Sequence, residues 1–124
     1  MEEIMKRNIL VTGGTGMIGK ALHGVLNKGA VYLSSNDCDL TDYSQTLETF
    51  RKYNPNYVIH LAAKVGGIVA NMNHLGDFFR ENVLINTNVL EASRLCGVNK
   101  VVSMLSTCIY PDQCKYPLSE TDIH

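Results

Sequence analysis

The sequence predicts an α/β fold built on a parallel sheet, and three observations predict it. Short apolar runs alternate with helical periodicities three times along the 124 residues. Each run is apolar on both faces, as strands covered by helices on two sides must be. The first run leads directly into a glycine turn, TGGTGMIG at 12–19, that opens a helix. Together these describe a Rossmann-like nucleotide-binding fold in incomplete form, with about four strands and three helices. Without repeats or linkers, residues 1–124 are expected to be the N-terminal part of one NAD(P)-binding domain.

The first strand is NILVT, residues 8–12, β-branched and bounded by glycine. From Met17 to about Asn27, Ile18, Ala21, Leu22, Val25 and Leu26 recur at helical spacing, and Gly29 is expected to end that helix. Residues 30–34, AVYLS, form the second strand. Ser44 is expected to cap a helix running to about Tyr53, with Leu47 and Phe50 on one face and Asn54-Pro55 as its stop. Residues 57–62, YVIHLA, form the third strand, and AKVGGIVANMNHLG reads as a long loop. Asp77 can start a long helix to about Cys96, closed by Gly97. Residues 100–105 make the fourth strand, an apolar run expected to be buried.

Bulk properties exclude several classes. The chain is 45% hydrophobic and 19% charged, with a formal net charge of -1, an ordinary globular composition. No Lys/Arg cluster argues for nucleic acid. The segment MEEIMKRNILVTGG opens with two acids, and its apolar run is too short for a signal peptide or a membrane span. A cytoplasmic protein is expected. Cys38, Cys96, Cys108 and Cys114 form no C-x-x-C pair, and the four histidines are scattered, so neither disulfides nor a metal site are expected.

The turn carries the chemistry. Gly13, Gly16 and Gly19 allow a sharp exit from the strand, close approach of backbone to a pyrophosphate, and tight packing of the helix. The helix mouth then offers free N–H groups to negative charge. Gly13, Gly14, Thr15, Gly16, Met17, Ile18 and Gly19 are therefore the candidate pyrophosphate segment. An acid at the end of the second strand would hold a ribose 2′-OH. The strand ends Ser34-Ser35-Asn36, with Asp37 just beyond. Two hydroxyls leave room for a 2′-phosphate without a basic partner, so NADP is slightly favoured and NAD stays open.

Several segments together resemble a known family. VTGGTGMIG, DLTD (39–42), HLAAKVGGIVAN (60–71), ENVLINTNVLEAS (81–93), LSTCIYP (105–111) and SETDIH (119–124) resemble the GDP-L-fucose synthases. These are extended short-chain dehydrogenases/reductases. The resemblance implies a cytosolic homodimer that epimerises GDP-4-keto-6-deoxymannose at C3 and C5 and reduces C4 with NADPH. It implies catalytic roles for Cys108, in proton exchange, and Ser106, at the C4 oxygen. It places Leu40 beside adenine, Ala62 and Ala63 beneath the nicotinamide-side ribose, and Asn36, Leu105 and Thr107 along the cofactor. Lys64, Val65, Gly66 and Gly67 fall in the loop next to the GDP-sugar. Asn82, Asn86 and Asn88 are expected to tie the long helix to neighbouring loops, and His60 is read as a satisfied core histidine. The bland readings are a buried thiol at Cys108 and a backbone-bonding hydroxyl at Ser106.

The family pattern also breaks. The resemblance calls for Tyr-x-x-x-Lys as the central acid–base pair, and none of the six tyrosines has lysine four residues on. In the family this pair follows the segment ending at SETDIH. The expectation is an N-terminal part of a longer enzyme, inactive alone and lacking the substrate domain, with the fourth strand at an open sheet edge that invites association. Asn36 also stands where a basic residue often faces the 2′-phosphate. The alternatives are a non-catalytic dinucleotide-binding module, or another extended-family sugar-nucleotide epimerase or dehydratase.

Overall fold

The computed structural model describes residues 8–26 and 29–123. Four strands form one parallel sheet: β1 (Ile9–Thr12), β2 (Ala30–Leu33), β3 (Tyr57–His60) and β4 (Lys100–Ser103). Their order is β2-β1-β3-β4. The chain steps outward from β1 to β2, then crosses back to β3 on the other side. The order therefore reverses between β1 and β3, where open α/β sheets bind ligands beyond their carboxyl ends.

Among the described residues four α-helices accompany the strands, one more than the sequence predicts: α1 (Met17–Leu22), α2 (Tyr43–Tyr53), α3 (Ile68–Asn73) and α4 (Leu75–Leu95). Register sets Val31, Leu10, Val58 and Val101 side by side on one sheet face. That face joins Leu33, Phe50, Val89 and Ala92 in the core, beneath α2 and α4. On the opposite face Tyr32 stacks on His23, the residue that closes α1, with ring centroids 3.6 Å apart. Helices thus flank both faces, as the two-sided apolar strands require.

Several boundaries differ from the expectations. The first helix stops at Leu22, and 3-10-like bonds such as Val25 N–H to Leu22 O follow it. Gly24 weakens helix propagation there, so Gly29 does not cap it, and Asn27 lies outside the described residues. The expected apolar stripe is not a core face: Val25 is 74% exposed, and Ile18 is exposed as well. The second helix is capped by Asp42 rather than Ser44, because the Asp42 carboxylate accepts the Gln45 N–H at 3.0 Å. Asn54 closes it in the left-handed region, ahead of Pro55, as predicted. Asp42→Ala is expected to cost about 1 kcal/mol, read as a lower urea midpoint with an unchanged slope.

The loop after β3 holds α3, and α4 begins at Leu75 rather than Asp77. The Asn71 amide donates to the carbonyls of Gly66 and Gly67 at 2.8 and 3.1 Å, which fixes the turn into α3. Strand β4 is not buried. Val101 packs on the core, but Val102, Met104 and Leu105 are exposed. β4 lies at the edge of the sheet and is paired on β3 alone, so only one side and one face of it are covered.

Candidate functional site

A cleft of about 860 Å³ opens at the carboxyl ends of the strands. That is the size expected of a cofactor site. Its wall includes Gly13, Thr15, Gly16, Met17, Ile18 and Gly19 from the turn, and Leu40, Ala62, Ala63, Lys64 and Val65 among the other predicted residues.

The glycines are demanded by the backbone. Gly13 has φ +69°, and a Cβ there would stand 2.8 Å from the Ala62 nitrogen. A Cβ on Gly19 would lie 2.5 Å from the Gly14 carbonyl oxygen, so α1 rests directly on the turn. Gly16 caps α1 with no side chain of its own, which leaves that mouth open to a ligand. This bare backbone cradle fits a pyrophosphate. Gly14 behaves differently. It is buried, donates to Leu33 O at 2.8 Å, and sits where a Cβ would strike Tyr32 at 2.6 Å. It packs the turn onto β2 instead of lining the cleft.

At the end of β2 the cleft is lined by Ser34, Ser35, Cys38, Asp39 and Thr41. Asn36, expected along the cofactor, is exposed on the turn beside the cleft and outside its wall. The reason is a tight turn. Asp37 accepts from the Ser34 hydroxyl at 2.6 Å and the Ser34 N–H at 2.8 Å, and these bonds hold its carboxyl below the usual range. Asp39 likewise accepts from the Thr41 hydroxyl and N–H, which lower its pKa. Side chain-to-backbone turns of this kind could have been suspected from the Ser/Asp/Thr spacing.

On the β3 side a relay from buried Thr12 and His60 to exposed Asn86 supports the floor. The Thr12 hydroxyl lies 2.6 Å from His60 Nδ1, and His60 Nε2 lies 2.9 Å from Asn86 Oδ1. Thr12 Oγ1 also accepts the Ala62 N–H at 3.3 Å. Since Asn86 presents its oxygen, Nε2 carries the proton and Nδ1 accepts from Thr12. His60 is thus the satisfied core histidine expected. Burial pushes its pKa below 6.5, while the bond to Asn86 pulls the other way. Below pH 6.5 the unfolded chain binds this proton more readily than the folded one. Stability contributed by His60 is therefore whole above 6.5 and declines as pH falls toward the depressed folded pKa. Urea midpoints of wild type and His60→Gln, measured from pH 7.5 down to 5, are expected to fall more steeply for wild type.

Lys64 is held by Asn82, which accepts its N–H at 2.8 Å and returns a bond to its carbonyl at 2.9 Å. Its ammonium pairs with Glu81 at 3.3 Å. Glu81 and Ile85 line the cleft; the sequence places Ile85 only on the apolar side of the long helix and does not single out Glu81, because their facing depends on where α4 docks. Gly66 and Gly67 lie beyond the cleft wall. Gly66 is packed by Phe78.

Leu105, Ser106, Thr107 and Cys108 are exposed and do not line the cleft. The chain leaves β4 at Ser103, and Thr107 begins a 3-10 turn, Thr107–Ile109, so all four stand on the connection past the sheet edge, outside the walls formed by residues 13–85. The Ser106 oxygen accepts the Cys108 N–H at 3.2 Å, joining the two predicted catalytic residues. Cys108 is a free, exposed thiol, so the buried-thiol reading fails. The backbone-bonding reading of Ser106 is met by its oxygen alone. Among the described residues, no group of three or more His, Cys, Asp or Glu could hold a metal.

Comparison with known proteins agrees with this geometry. A model of the NAD dependent epimerase/dehydratase family matches residues 9–124. The chain is 46% identical to the GDP-L-fucose synthase of Dictyostelium discoideum, across 99% of its own length and 40% of that protein's. It is 48% identical to the probable GDP-L-fucose synthase of Drosophila melanogaster, across 95% and 39%. A crystal structure of a GDP-L-fucose synthetase from Naegleria fowleri bound to NADP shares a TM-score of 0.85 and 44% identity, covering 98% of this chain and 41% of that one. The chain thus spans about 40% of the length of the curated relatives it matches.

Proposed function

The chain belongs to the NAD dependent epimerase/dehydratase family, and on that premise we propose that it is the N-terminal, NADP-binding part of a GDP-L-fucose synthase. The observation that carries this reading is the bare glycine cradle at the reversal point of the sheet. The similarity to an NADP-bound GDP-L-fucose synthetase supports the choice of cofactor. Gly13, Thr15, Gly16, Met17, Ile18 and Gly19 hold the pyrophosphate, Leu40 borders the adenine, and Ala62 and Ala63 lie under the second ribose. Ser35 offers its hydroxyl to the 2′-phosphate, while the Ser34 hydroxyl is held by Asp37. When bound, NADPH supplies the hydride that reduces the C4 ketone.

Protons beside that ketone are acidic, because the carbanion they leave delocalises as an enolate. Cys108 exchanges those protons as general acid or base. The Ser106 oxygen already accepts the Cys108 N–H, which leaves its own O–H free to donate to the C4 oxygen and stabilise charge there. Lys64, Val65, Gly66 and Gly67 border the GDP-sugar. We read the full-length protein as a cytosolic homodimer with no nucleic-acid or membrane partner. Among the described residues no helix is long and apolar enough to cross a membrane.

The test is made on the full-length protein. It is expected to bind NADP more tightly than NAD and to convert GDP-4-keto-6-deoxymannose to a GDP-fucose with loss of NADPH fluorescence. Failure to bind either dinucleotide would overturn the reading, and dehydration without NADPH consumption would move the protein to a different activity in the family. With no Tyr-x-x-x-Lys pair present, the 124-residue chain alone is expected to bind NADP without turnover. Product from pure 124-residue material would contradict this.

A further inference from the structure

We infer that Asn82, Asn86 and Asn88 of α4 are positioning residues that set the spacing between the two rims of the cleft, and so the fit of the two halves of a dinucleotide. The inference rests on the cofactor reading above. Three tethers leave one helix for separate parts of the cleft. Asn88 is buried, and its amide donates to the Leu40 carbonyl at 2.9 Å, across 48 residues of sequence. This fixes the rim beyond β2, the adenosine side. Asn82 clamps both backbone polar groups of Lys64, on the rim beyond β3. Its amide also donates to Phe78 O at 2.8 Å, one turn back, which locks its orientation on the helix. Asn86 reaches the floor indirectly, through His60 and Thr12 to the Ala62 N–H.

Asparagine is among the poorer helix formers, yet three stand within seven residues of α4. The side chain is short and offers donor and acceptor together, so its tethers are stiff and can satisfy an N–H and a C=O at once. A shared helix as reference for both rims means that neither rim moves alone.

The experiment titrates the full-length protein with NADP and with adenosine 2′,5′-bisphosphate, which occupies the adenosine side only. Removing the partner of the buried Leu40 carbonyl weakens what it positions by about tenfold, and removing the paired, exposed bonds to Lys64 weakens it by about threefold to tenfold. Asn88→Leu is expected to weaken both ligands about tenfold. Asn82→Leu is expected to weaken NADP by about threefold to tenfold and leave adenosine 2′,5′-bisphosphate unchanged. Asn82→Asp keeps the acceptor for the Lys64 N–H but turns a carboxylate oxygen on the Lys64 and Phe78 carbonyls, and is expected to lose NADP affinity at least as far as Asn82→Leu. Equal losses on both ligands for Asn82→Leu, or no loss on either, would overturn the inference. Asn82 is only half-buried, so this arm decides the matter even if Asn88→Leu does not fold. A wild type that binds neither ligand brings down the cofactor reading itself, whereas a wild type that binds both isolates failure to the asparagines.

Discussion

Gly13→Val is expected to abolish measurable NADP binding and to destabilise the fold by about 3 kcal/mol or more, the sum of a left-handed strain and an overpacked contact. Both terms come from the same atom. Gly13 has φ +69°, where a β-branched side chain is strongly disfavoured. The new Cβ would stand 2.8 Å from the Ala62 nitrogen and 2.9 Å from the Leu61 carbonyl carbon, rigid backbone that has no room to yield. Relief requires β1 and β3 to part at their carboxyl ends, which is where the cleft opens. Gly67→Ala serves as the control: Gly67 has ordinary dihedrals, and nothing lies within 4 Å of its added Cβ. Calorimetric titration and urea unfolding check both variants. A Gly13→Val protein that binds NADP like wild type would show that the cradle is not the phosphate site.

Cys108→Ser in the full-length enzyme is expected to slow solvent hydrogen exchange at C3 and C5 of the sugar by about a hundredfold or more, the usual scale of a lost acid–base group. NADP affinity is expected to stay unchanged, because Cys108 is exposed and outside the cleft wall. Exchange followed by mass spectrometry in deuterated water separates this step from reduction. Exchange at the wild-type rate would remove the role proposed for the thiol. A fall in NADP affinity would instead make Cys108 a structural part of the cofactor site. The Ser106–Cys108 bond uses the Cys108 backbone N–H, so the substitution leaves that contact in place and tests the thiol alone.

What was readable in advance was local. The β-branched runs, the Asn54-Pro55 stop and the glycine turn each state a requirement of neighbouring atoms, and the structure meets them. His60 was readable for the same reason: a histidine inside an apolar strand needs partners, and Thr12 and Asn86 supply them. The asparagines of α4 were expected to tie the helix to loops, and their targets emerged only with the fold. Misjudged features were those whose surroundings come from elsewhere in the chain. The edge position of the fourth strand was expected and is met, but the extent of its burial was not, since Met104 and Leu105 at that edge are exposed. Ser44 and Asp42 are both good caps on paper, and only Asp42 reaches an orphan N–H.

The amino-acid sequence by itself determined the alternation of strand and helix, the glycine cradle and the segments by which the family is known, because sterics and periodicity act between residues close in the chain. The tertiary structure alone decided the order β2-β1-β3-β4, the two rims of the cleft and the exposure of residues 104–108. Those depend on contacts such as Asn88 with Leu40 and Thr12 with His60, which join residues 48 positions apart and exist only once the sheet has ordered its strands.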